Sequence, residues 1–115
     1  MNPSPMIQDR IDKIESAVHS AANLPAETKQ ELLALLSELK AEVGPLTATH
    51  GEDVASIERF TDASVHEATR SARKPEQTAA ALSGLSASVE GFEASHPRLV
   101  QIVDRIALTL SNMGI

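Results

Sequence analysis

Apolar side chains recur along this chain every three or four residues, the spacing that gathers them on one face of an α-helix. Ile7, Ile11, Ile14 and Val18 form one such stripe and predict a first helix over about 5–22. Ser4 before Pro5 offers an N-cap followed by proline in the first turn. A second helix is predicted over about 25–43, opened by Pro25 and closed by Gly44–Pro45. Leu32, Leu36, Leu39 and Val43 make its seam, and Leu33 and Leu35 widen that seam beyond a two-stranded coiled-coil stripe. Such a width implies more than one neighbouring helix. The short break at Asn23–Leu24–Pro25 predicts an antiparallel hairpin of these two helices.

After a loop over 45–50, a third helix is expected over about 50–73, with Thr49 and Glu52 spaced as a capping box. Its apolar face, Val54, Ile57, Thr61, Val65 and Ala68, is weak. Lys74–Pro75 ends or kinks it. A fourth helix over about 75–94 carries a seam of Leu82, Leu85, Val89 and Phe92. Beside it runs a stripe of small residues, Ala80, Gly84, Ala87, Gly91 and Ala94. Small residues let another backbone approach closely, at a helix cost near 1 kcal/mol per glycine. A fifth helix over about 97–113 follows Ser95–His96–Pro97, with Ser95 or His96 as its cap and Leu99, Val103, Ile106, Leu110 and Met113 as its seam. Gly114 followed by Ile115 fits a helix-stopping motif at the tail. The pattern as a whole predicts an all-α single domain, a helical hairpin plus further helices in a four- to five-helix bundle.

Composition agrees with that class. Phe60 and Phe92 are the only aromatics, there is no cysteine, and alanine and leucine dominate. Disulfides and thiolate metal sites are therefore excluded. A core without Trp or Tyr is thin, which raises the expectation of a second copy to hide apolar surface. The net charge of −6 is spread evenly, with no basic block or stripe, and this argues against nucleic acid and anionic membrane as partners. No stretch approaches the ~20 apolar residues of a membrane span, and the first ten residues lack a secretory pattern, so the cytoplasm is the expected location.

The closing stretch FEASHPRLVQIVDRIALTLSNMGI, Phe92 to Ile115, is similar to the C-terminal signature of a small bacterial family known only as a domain of unknown function, family 4404. The leucine-rich stretch LPAETKQELLALLSELKAEV, Leu24 to Val43, resembles the family's early helix. Residues 45–80 are longer and richer in Ala, Ser and Thr than in a typical member. The resemblance implies a compact helical protein of the bacterial cytosol, and it implies no activity.

Chemistry is sparse. There is no HExxH, no GxSxG elbow and no glycine-rich phosphate loop, so neither an enzyme nor a cofactor is expected. Glu58, Asp62, His66 and Arg70 stand four apart on one helix face. They form either an exposed ladder of charge pairs or, with a ligand from a second chain, a metal site through Glu58, Asp62 and His66. His96 either caps the fifth helix or holds an anion at its positive end. The leading expectation is a protein–protein interaction or self-assembly module working through Leu32, Leu33, Leu35, Leu36 and Leu39 or through Gly84, Ala87 and Gly91. The alternative is a ligand- or metal-binding bundle using the Glu58, Asp62 and His66 face.

Overall fold

The computed structural model describes residues 5–113, with side chains from Arg10 onward. Ser4, the Ile7 side chain, Gly114 and Ile115 lie outside the described residues, and with them the first N-cap and the C-terminal motif. Five helices follow one another: α1 (Pro5–Ser20), α2 (Ala26–Val43), α3 (Gly51–Thr69), α4 (Pro75–Ser88) and α5 (Pro97–Met113). Among the described residues there is no strand. A short 3₁₀ turn, Gly44–Leu46, continues from α2.

Side-chain bonds fix the direction of each helix. Lys40, late in α2, pairs with Asp12 early in α1, while Lys29, early in α2, donates to the His19 carbonyl late in α1. These two helices are therefore the predicted antiparallel hairpin. Arg98 at the start of α5 pairs with Glu38 and Glu42 late in α2, and Thr109 reaches back to Glu31, so α2 and α5 are also antiparallel. Asn23, just past α1, donates to the carbonyl of Thr69 at the end of α3, which makes α1 and α3 parallel. The result is an up-down-up-down-up bundle. α2 packs on α1 and α5, α4 packs on α3 and α5, and α1 closes against α3.

All five helices feed one core. Ile11, Ile14, Leu32, Leu36, Leu39, Ile57, Leu85, Leu99, Ile106 and Leu110 are essentially inaccessible to water. Each such side chain contributes roughly 1.5–3 kcal/mol of burial. The breadth of the leucine face on α2 is explained by its two neighbours, α1 and α5.

Three helix ends differ from the sequence expectation. α1 stops at Ser20, and α3 stops at Thr69 because Arg70 is already extended (φ −69°, ψ 149°). Lys74 is extended too (φ −115°, ψ 107°), as a residue before proline should be. Arg70 spans the break, donating to both Glu67 and Gln77. α4 ends at Ser88 rather than near 94, and Gly91 lies in the following turn with φ 98°. A side chain at Gly91 would meet the Cβ penalty of the left-handed region, so its glycine serves the turn and not a helix face.

Candidate functional site

The buried stripe of α3 is Val54, Ile57, Glu58, Thr61, Ser64, Val65 and Ala68. Glu58 sits where an apolar residue belongs. It is 0% exposed, and neither carboxylate oxygen has a hydrogen-bond partner among the described residues. Burying an unpaired carboxylate is costly enough that a group in this position takes up a proton instead. Burial pushes the Glu58 carboxyl up to about 7, partly opposed by the Arg10 guanidinium. The neighbouring Thr61 hydroxyl solves the same problem locally by donating to the Ile57 carbonyl, whereas the Ser64 hydroxyl has no partner.

Because α1 and α3 are parallel, the first turns of α1 stand beside Glu58. A pocket of about 250 Å³ opens there, lined by Arg10, Lys13, Glu58, Arg59 and Asp62. The four charged residues around Glu58 are exposed, and three are basic, on a chain whose net charge is −6. Among the described residues, Arg10, Lys13 and Arg59 have no ion-pair partner. The volume falls below the ~300–1,000 Å³ of sites for drug-sized ligands, so it suits one small ion or functional group. Glu58 forms the floor, and the long rim side chains shield it from water.

The metal reading of Glu58, Asp62 and His66 is corrected by the helix geometry. At 3.6 residues per turn, each step of four rotates ~40° around the axis, so His66 lies ~80° from Glu58. Glu58 points inward, Asp62 reaches the pocket rim, and His66 is exposed away from it. Among the described residues, no three His, Asp or Glu side chains are grouped to hold a metal.

The interaction residues are also redistributed. Leu32, Leu35, Leu36 and Leu39 are buried in the protein's own core, and Leu33 is packed against it, so this seam is not a free surface. Gly84 lies beneath the Phe60 ring of α3, so the close approach that glycine permits is made within the chain. Ala87 remains exposed and borders an α4–α5 groove shared with Leu82, Ala107 and Leu108.

The caps differ in detail. The Ser95 hydroxyl shares a hydrogen bond with Nδ1 of His96 at 2.9 Å rather than one with a helix N–H. His96 caps α5 through its backbone, its carbonyl accepting from Val100 N, and Pro97 is the first helical residue. α3 repeats the arrangement. Thr49 Oγ1 meets Nδ1 of His50 at 2.8 Å, and the His50 carbonyl accepts from Val54 N, so the expected Thr49–Glu52 capping box is not formed. The His50 and His96 rings both stand edge-on to Phe92, at centroid distances of 5.5 and 5.6 Å. No sequence spacing signals this trio. The inward place of Glu58 did have a signal, since it follows Ile57 and stands four after Val54.

No described helix is long and apolar enough to cross a membrane. No curated protein and no solved structure matches the chain. A family model described as Domain of unknown function (DUF4404) matches residues 32–115, which includes the leucine-rich helix from Leu32 onward and the whole C-terminal stretch. The chain therefore belongs to the DUF4404 family.

Proposed function

We propose that this protein works by binding rather than by catalysis, as a small helical interaction module whose α1–α3 pocket takes up a ligand group. The observation behind this reading is Glu58, a fully buried carboxyl beneath three basic side chains, none of the four having a hydrogen-bonded or ion-pair partner among the described residues. An apolar residue there would make a more stable bundle, so the position carries a cost that folding does not return. Amide chemical shifts followed during titration with small anions and cations test this reading. Changes centred on residues 10–13 and 58–62 are expected, and their absence for every probe would remove it.

A second reading is association with another protein or a second copy through the α4–α5 face. Leu108 favours it, since this large apolar side chain is 61% exposed beside Ala87 and Ala107. Light scattering at high concentration tests it. A dimer abolished by Leu108→Glu supports it, and a monomer throughout removes self-association.

A further inference from the structure

We propose that the ligand of the α1–α3 pocket is a small oxyanion, gripped by Arg10, Lys13 and Arg59 while the Glu58 carboxyl donates its O–H to the same anion. The proposal rests on the reading of this pocket as a binding site and adds the class of ligand and the role of the proton.

Charge selects the anion. Around Glu58, among the described residues, three basic side chains face a single exposed carboxylate, Asp62. A cationic ligand could satisfy the Glu58 oxygens but would have to pass three like charges to reach them. An anion meets guanidinium forks on both sides, Arg10 from α1 and Arg59 from α3, a donor set suited to planar oxyanions. The available volume of about 250 Å³ admits one carboxylate or phosphate group. Arg10, Lys13 and Arg59 are long, exposed side chains, and Arg10 and Lys13 line the pocket from the opposite helix. Their rotation uncovers the carboxyl without moving either backbone.

Glu58 then decides the pH behaviour. As a neutral acid it donates a short O–H···O⁻ bond to the anion; as a carboxylate it repels the anion. Its proton is half lost at about pH 7. Among the described residues, the other charged groups lining the pocket are Arg10 and Lys13 from α1 and Arg59 and Asp62 from α3, and no histidine lines it. Binding is thus coupled to one proton on one side chain, and affinity falls about tenfold between pH 6 and pH 8 by linkage.

The experiment is titration of the intact protein with acetate and, separately, inorganic phosphate at pH 6 and pH 8. Amide shifts serve as the readout, with methylguanidinium as the cationic control. Binding about tenfold tighter at pH 6 is expected for at least one of the two anions, and the better ligand identifies carboxylate or phosphate as the preferred group. Glu58→Gln, which keeps the shape and a donor, should retain binding and lose the pH dependence of acetate binding, leaving for phosphate only that of its own second ionisation, which falls in this range. Asp62→Asn should leave the pH dependence in place. Anion binding equal at both pH values, or a pH dependence of acetate binding that survives Glu58→Gln, overturns the inference while leaving the pocket as a site. Binding of methylguanidinium in preference to both anions overturns the ligand class. No binding by any probe overturns the inference and the pocket reading together.

Discussion

The ring of Phe60 on α3 lies directly over Gly84 on α4, so that an aromatic side chain of one helix occupies the space of the side chain the other lacks. The ring is 39% exposed and covers the glycine from the solvent side. A methyl group at position 84 would collide with the ring edge, yet that edge is the free end of a side chain and can swing outward.

Gly84→Ala therefore has opposite effects in two backgrounds. With Phe60 present, the helix gain of about 1 kcal/mol is offset by displacement of the ring, and a net loss of up to about 1 kcal/mol is expected. With Phe60→Ala already in place, the same change should stabilise by about 1 kcal/mol. Urea unfolding followed by far-ultraviolet circular dichroism gives the double-mutant cycle, and simple additivity of the two changes would contradict the contact.

Glu58 makes stability depend on pH in a defined direction. Its carboxyl is raised from 4.5 unfolded to about 7 folded, so the folded state holds the proton longer. The group's contribution is fully present below pH 4.5, is lost as pH rises toward 7, and stays lost above it. At 1.36 kcal/mol per unit, the loss is at most about 3 kcal/mol. Glu58→Gln should match the natural protein near pH 4.5 and exceed its stability by up to about 3 kcal/mol at pH 8. Comparing the two at each pH cancels all other titrations, and an equal difference at both pH values would show that Glu58 is not buried as an acid.

Ser95→Ala provides a test of the α5 cap. A serine capping through its side chain is worth about 1 kcal/mol. Here the hydroxyl is spent on the His96 ring and the backbone caps α5. The expected loss is only a few tenths of a kcal/mol, from an exposed hydrogen bond. A melting shift matching a full cap would place the hydroxyl on the helix instead.

Helix order and core faces were legible because apolar spacing is a property of the chain alone. The seam of α5 is the clearest case, with Leu99, Val103, Ile106 and Leu110 all buried as spaced. Helix ends were less so. Gly91 looked like a member of a packing stripe, and only its φ of 98° reveals a turn. Thr49 and Ser95 have cap-forming chemistry, but a neighbouring imidazole competes for each hydroxyl, and rotamers decide that competition. The pocket was half legible. Glu58 interrupts an apolar face in the sequence, whereas Arg10 and Lys13 join it only because α1 runs parallel to α3.

The phenyl ring held between His50 and His96 also gives the molecule a built-in spectroscopic label. Its ring current is expected to displace the imidazole proton resonances of these two histidines from those of exposed His19 and His66. The junction where α3 and α5 both begin can thus be observed in an unmodified sample, through two resolved magnetic signals, while the α1–α3 pocket is titrated.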